Sequence, residues 1–411
     1  MKLFTIITLS SNLFAPVSLA SPSTPLTIVQ MQLSPQAALE RLFNTPQLQS
    51  DWFAPIFLDQ IPLTQIQQVI AELQQDLGAY QRIELQGDRY LIIFERGQAA
   101  AQIFLNSQSQ IAGLSIRPQP KAVTLAEAIE QLKTFPGQVN FLVLENGSQL
   151  AALNPEQPLA VGSTFKLAVL AALRQQIESG QRSWQDVVEL QSEWKSLPSG
   201  ILQTWPDGSV LTLQTLATLM ISMSDNTATD ILIQVLGREP IEAFTERNRP
   251  FLTTREAFIL KDSQHQDLLG RYRASGQAEQ RQILAEIAKY PLPDLDLSGK
   301  TSTGLLNDNP TAVDIEWFFT PQELCQLMAK VAELPLMSVN PGGGLANPDN
   351  WSRVAYKGGS EPGVLNLTTW LETNNKTYCV VATWNNADVS LDETRLYKLY
   401  SAVLKGLEGK K

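Results

Sequence analysis

The chain has 411 residues, 44% of them hydrophobic and 18% charged, which is a globular composition too apolar for disorder and long enough for two domains. A formal net charge of −10 argues against nucleic acid or an anionic membrane surface as the main partner, because both require a basic footprint.

The N-terminus reads as an export signal. Lys2 supplies positive charge, Leu3 to Val17 is an apolar stretch broken by Ser10, Ser11 and Asn12, and Ser18-Leu19-Ala20 offers small residues for cleavage after Ala20. The run is too short and too polar to span a bilayer easily, and no later segment approaches 18 apolar residues. The expectation is an exported protein, periplasmic or extracellular, with no integral span once residues 1–20 are removed.

A Ser/Pro/Thr-containing leader covers 21–30, and Ser34-Pro35 then opens a helix. Ile66 to Leu77 repeats apolar residues at helical spacing and stops before Gly78. Strand-like runs follow at Tyr80–Leu85, Tyr90–Phe94, Ala99–Leu105 and Ile111–Ile116. Residues 32–117 therefore predict a small α+β domain without a catalytic constellation. Pro118 and Pro120 mark a linker to a second domain at 124–408.

That second domain begins with a helix over Leu125–Phe135 and strands over Gln138–Leu144 and Gln149–Leu153. Helices follow at Ser163–Ile177, Leu211–Met223 and Thr227–Leu236, the last ended by Gly237. Residues 256–300 read as a polar helical elaboration. Arg353–Tyr356, Val364–Leu371 and Thr377–Trp384 alternate like antiparallel strands, and a helix runs from Asp392 to about Leu407. Strands at both ends with helices between predict one antiparallel sheet shared by the two termini, covered by a helical block. The fold class is α+β throughout.

The two cysteines, Cys325 and Cys379, both lie in apolar patterns, which fits a disulfide in an oxidising compartment or two buried free thiols. The single histidine, His265, sits among polar residues. A histidine-rich metal site and a Ser-His-Asp triad are both poor readings, so a nucleophile here needs another base. No metal and no cofactor is expected.

Three short motifs carry chemistry. In Gly162-Ser163-Thr164-Phe165-Lys166, positions i and i+3 share a helix face, so the Ser163 hydroxyl lies beside the Lys166 amine at a helix N-terminus whose potential favours an alkoxide. Leu167 to Ala172 are apolar, so this helix is buried, and burying a lysine needs a reason. A buried lysine can lose its proton near neutral pH and act as a base. Ser224-Asp225-Asn226 is a polar triplet between two apolar helices; Ser224 can relay a proton and Asn226 can hold a substrate amide. Lys357-Gly358-Gly359-Ser360 offers a cation for a carboxylate and glycines that let a substrate approach a strand edge.

In this order, Ser163-x-x-Lys166, Ser224-Asp225-Asn226 and Lys357-Gly358-Gly359 resemble the signature of class A β-lactamases and penicillin-binding proteins, over about residues 125–408. The resemblance implies a β-lactamase-like catalytic domain in which Ser163 is acylated and Lys166 and Ser224 transfer protons. It also implies an oxyanion hole from the backbone N–H groups of Ser163 and Ser360. The implied substrate is a small β-lactam or related amide, with esters or D,D-peptides of the cell wall as the alternative, or a penicillin-binding module with poor turnover. A monomer is expected. Residues 32–117 resemble, more loosely, the cystatin-like or NTF2-like module that precedes such domains in some bacterial serine hydrolases.

The chain departs from the pattern in two places. No Glu-x-x-x-Asn loop is found to activate a deacylating water; the candidates are Glu256, Asn307-Asp308 and Asp314/Glu316, the last pair reading more readily as structural ion partners. Gly358 also stands where the family carries Thr or Ser, which removes a hydroxyl that Ser360 is expected to replace.

Overall fold

The structure, a computed structural model, describes residues 33–86, 89–119, 121–293, 309–342 and 344–408. The expected export signal at 1–20, the leader at 21–30 and Asn307-Asp308 lie outside the described residues. The chain forms two compact units that divide between Lys121 and Ala122.

In the first unit, helices α1 (Pro35–Asn44), α2 (Pro55–Gln60) and α3 (Leu63–Leu77) precede a four-stranded antiparallel meander. Its strands are β1 (Tyr80–Gln86), β2 (Arg89–Phe94), β3 (Gln98–Leu105) and β4 (Ile111–Gln119). Ser34 caps α1 by accepting from Ala37 N at 3.2 Å. The apolar stripe Ile66, Val69, Ile70 and Leu73 of α3 is buried in the same core as Ile92, Ala99 and Ile116 of the sheet.

The second unit opens with α4 (Leu125–Leu132), shorter than predicted because Pro136-Gly137 follows closely. Strands β5 (Gln138–Glu145), β6 (Ser148–Leu153) and β7 (Leu159–Ala160) come next, then α5 (Lys166–Glu178). The strands β8 (Val187–Glu189) and β9 (Val210–Thr212) pair with each other. The predicted helix at Leu211 starts instead as α6 (Leu213–Ser222), since Thr212 accepts from Thr215 N and caps it. Helices α7 (Asn226–Leu236), α8 (Arg238–Glu242), α9 (Thr254–Lys261), α10 (Gln266–Ala274) and α11 (Gln277–Ile287) follow. The unit ends with β10 (Phe318–Phe319), α12 (Pro321–Val331), β11 (Arg353–Glu361), β12 (Val364–Glu372), β13 (Thr377–Asn385) and α13 (Glu393–Glu408).

The central sheet has the order β11-β12-β13-β5-β6, antiparallel throughout, so both ends of the unit share it. Alternation along each strand makes two cores. Ala355, Cys379 and Val381 join the helical block, whereas Val354, Val380 and Trp384 join α4 and α13. Cys325 of α12 and Cys379 of β13 are disulfide-bonded, with Cα atoms 5.8 Å apart, tying the helical block to the sheet. Among the described residues no helix is long and apolar enough to cross a membrane. Strand β11 is longer than predicted and carries Lys357–Ser360 along the edge of the sheet.

Candidate active site

Ser163 is held by what precedes it. Strand β7 pairs with β10, and the Asn385 side chain both accepts from Ala160 N at 2.8 Å and donates to Ala160 O at 2.9 Å. The chain then enters a 3-10 turn, Gly162–Phe165, that continues into α5. With three residues per turn, Ser163 and Lys166 are eclipsed, a tighter juxtaposition than the α-helical start predicted. Phe165 anchors the turn by stacking on Trp317, centroids 3.7 Å apart. Such a pair adds about 0.5–1.5 kcal/mol beyond the area it buries. Among the described residues, no hydrogen bond engages the half-buried Ser163 hydroxyl.

Lys166 is fully buried. Its Nζ donates to Ser224 O at 2.6 Å, Asn226 Oδ1 at 2.7 Å and Ser224 Oγ at 3.1 Å. Burial, then the positive charge of Lys357, hold the amine's pKa well below the usual lysine range, against the pull of Asp230, Asp225 and Glu361. Ser224 adopts φ +56°, a left-handed conformation uncommon for serine. The next residue stabilises that turn: Asp225 caps α7 through Ala228 N at 2.8 Å and accepts from Ile201 N and Leu202 N at 2.7 and 3.0 Å. Gly200, at φ +99°, is obligatory there, because a Cβ would stand 2.2 Å from the Asp225 carboxylate. Asn226 spends Oδ1 on Lys166 and one amide hydrogen on Leu197 O at 3.0 Å, which leaves one amide hydrogen.

Strand β11 supplies the opposite wall. Lys357 is 3% exposed; its Nζ donates to Ser224 Oγ at 3.0 Å and to Gly358 O at 2.6 Å. Ser224 Oγ therefore bridges two buried lysines. Burial pushes Lys357 down to about 7. A Cβ on Gly359 would stand 2.1 Å from Val161 O and 2.5 Å from Ser163 N, so only glycine lets β11 approach the turn. On the other side, a Cβ on Gly162 would meet Ser360 N at 3.2 Å. The backbone nitrogens of Ser163 and Ser360 thus lie on two segments, the turn and β11, that meet at Gly162 and Gly359.

Two expectations need correction. Glu256 is not free to activate a water: one oxygen accepts from Thr253 N at 2.8 Å and completes the cap of α9, and both pair with Arg238. Thr-x-x-Glu is a capping-box signature that was readable in the sequence. The Ser360 hydroxyl does not replace the one missing at 358, because it donates to Glu393 of α13. Asp314 is taken by Arg273 at 2.5 Å. Glu316 is wholly buried in a cluster with Lys261 and Glu361.

Sequence reasoning passed over Glu361. Ala355, Lys357, Gly359 and Glu361 share one face of β11 by simple alternation, and Gly359 of that face abuts Ser163. Its charge also acts on Lys166.

The model of a beta-lactamase enzyme family matches residues 123–340. Among solved structures, a β-lactamase from Sphaerobacter thermophilus DSM 20745 is 21% identical, with 70% of this chain and 97% of that one covered and a TM-score of 0.47. The structure of PBP-A is 15% identical, with 71% and 98% covered and a TM-score of 0.47. A class A β-lactamase from Bacteroides cellulosilyticus DSM 14838 is 18% identical, with 70% and 99% covered and a TM-score of 0.46. No curated protein matches the chain. The family match spans more than half of the sequence, and the chain belongs to the beta-lactamase enzyme family of serine hydrolases.

Proposed function

We propose that the protein opens a β-lactam or related amide through an acyl intermediate on Ser163. The observation that carries this reading is Lys166, a fully buried amine whose proton is destabilised and which is eclipsed with an unengaged serine hydroxyl. Neutral Lys166 takes the Ser163 proton as Oγ bonds to the substrate carbonyl carbon. The carbonyl oxygen, gaining charge, sits between the N–H groups of Ser163 and Ser360; each such donor is worth about 10²–10³ in rate. Ser224 then gives its proton to the departing nitrogen and recovers one from Lys166, 3.1 Å away. The remaining amide hydrogen of Asn226 serves the substrate amide, and Lys357 meets its carboxylate.

Deacylation needs a carboxylate in place of Glu256. Glu361 fits best: it lies on the Ser163-facing side of β11, its side chain is 25% exposed, and Lys261 engages it through Oε2 alone, at 2.6 Å, whereas Arg238 engages both oxygens of Glu256. Burial alone would raise the Glu361 pKa, but the Lys261 charge and hydrogen bonds from Glu316 and Lys261 outweigh it.

Intact mass against time, with a penicillin and a chromogenic ester, tests the reading. An adduct on Ser163 that decays as product accumulates, and is absent in Ser163→Ala, is expected. No adduct with either reagent would sink it; an adduct from the ester alone would move the substrate to esters and cell-wall peptides. In Glu361→Gln the adduct should form normally and persist at least about a hundredfold longer, as for loss of a general base.

The pH response of Lys357 has a defined sign. Its pKa lies below its unfolded value, so the cation is lost as pH rises through about 7. KM for a carboxylate-bearing substrate should therefore rise across pH 7, while KM for a neutral ester stays flat. The same depressed pKa makes the group's contribution to stability increase from about pH 7 to 10.5.

A further inference from the structure

Gly358 removes the side-chain hydroxyl expected on the outer face of β11, yet the space is not vacant. A Cβ built on Gly358 would lie 2.1 Å from the Tyr356 Oη and 2.8 Å from its Cζ. Residues 356 and 358 are two apart on a strand and point the same way. The phenol of Tyr356 is thus laid along the strand, its hydroxyl where the side chain of 358 would begin. Gly342 closes over the ring, since a Cβ there would meet Tyr356 Cγ at 2.9 Å. The ring is held, and Gly358 is glycine because the phenol needs its place.

We propose that Tyr356, on the α13 side of the edge strand β11, supplies the missing hydroxyl and donates around the strand edge to an acceptor oxygen, the carboxylate of the substrate that Lys357 meets from the other side. The inference rests on the acyl-Ser163 reading. Three observations support it. The Tyr356 hydroxyl has no hydrogen-bond partner among the described residues, whereas the nearby Tyr400 hydroxyl bonds Thr369 and Val380 at 2.8 Å each. A tyrosine that is mostly covered ordinarily finds such a partner. Glu393 is an acceptor in the vicinity, but it takes the Ser360 hydroxyl instead. Burial, then Tyr397, Tyr400 and Glu393, push the phenol's pKa well above its ordinary value, so at neutral pH it carries its proton and can only donate to an anion.

The side chain is a specificity determinant, and Tyr356→Phe isolates it because the ring that fills the space stays. The readout is the ratio of kcat/KM for acylation by a penicillin, which bears a carboxylate, to that by an ester without one. Tyr356→Phe should lower this ratio about ten- to a hundredfold, chiefly through KM, as expected for losing a hydrogen bond to a charged group. A ratio equal to that of the wild type, whether both rates fall together or neither does, would overturn the assignment. Failure of the wild type to acylate with either reagent would overturn the acyl-Ser163 reading itself, and this inference with it.

Discussion

Replacing Lys166 by Ala should slow acylation of Ser163 about a thousandfold, within the range that a positioned general base contributes. Lys166→Arg should be as slow. The two variants together separate a base from an anchor. Lys166 Nζ lies within hydrogen-bond reach of three acceptors, Ser224 O, Ser224 Oγ and Asn226 Oδ1, and an arginine can donate to as many. If the amine served only to hold Ser224 and Asn226, arginine would recover much of the rate. A guanidinium does not lose its proton in a protein, so it cannot accept one from Ser163. The measurement is the rate of adduct formation by mass, across pH. In the wild type the rate should rise with pH, starting below the ordinary lysine range, because burial and Lys357 depress the amine's pKa. In both variants that rise should disappear. A Lys166→Arg enzyme within tenfold of the wild type would remove Lys166 as the base.

Much of this site was readable in one dimension because its parts are local. Ser163 and Lys166 are one turn apart, and the apolar run after them already requires a buried amine. Asp225 caps α7 as its residue type predicts, and glycine at 359 follows from a strand edge that must meet a backbone. The two cores follow from strand alternation, which is why the predicted strands of the second unit survive, all but β11 with small changes at their ends.

What was missed depends on tertiary neighbours. Ser360 looked like a substitute hydroxyl until α13 brought Glu393 to it from 33 residues away. Glu256 looked available because its partner Arg238 lies 18 residues back, on a different helix. Whether Cys325 and Cys379 pair was open, since apolar surroundings suit a thiol and a disulfide equally; the packing of α12 on β13 decides it. Tyr356 and Gly358 are only two residues apart in the sequence, yet nothing local says that the ring lies along the strand rather than away from it.

The cluster that spans the longest separations should show the largest effect on stability. Lys261, at the end of α9, pairs with Glu316 and, at 2.6 Å, with Glu361 on β11; the partners are 55 and 100 residues away. The Lys261 and Glu316 side chains are 5% and 0% exposed. One cation faces two carboxyls, and Glu316 Oε2 has no hydrogen-bond partner. Burial first, then the Glu361 charge, push the Glu316 pKa well above the carboxylate range, against the pull of Lys261. Lys261 is driven the other way: burial opposes its charge, but Glu316 and Glu361 outweigh it and raise its pKa. Lys261→Met fills the same space without the cation and leaves the buried Glu316 and the partly exposed Glu361 unpaired. The expected loss is about 3–5 kcal/mol near pH 7, the scale for removing one partner of a buried ion pair. Its pH dependence identifies the cause. Without Lys261 both carboxyls favour the protonated form in the fold, while above about pH 4.5 the unfolded chain releases those protons. The native state then binds more protons, so stability falls as pH rises, and the deficit should shrink as pH drops toward 5. Urea unfolding at pH 5 and pH 8 tests this. A deficit of equal size at both would mean that Lys261 acts by packing alone, and Lys261→Met/Glu316→Gln, which removes one of the two stranded carboxyls, should recover part of the loss at pH 8 if the electrostatic account holds.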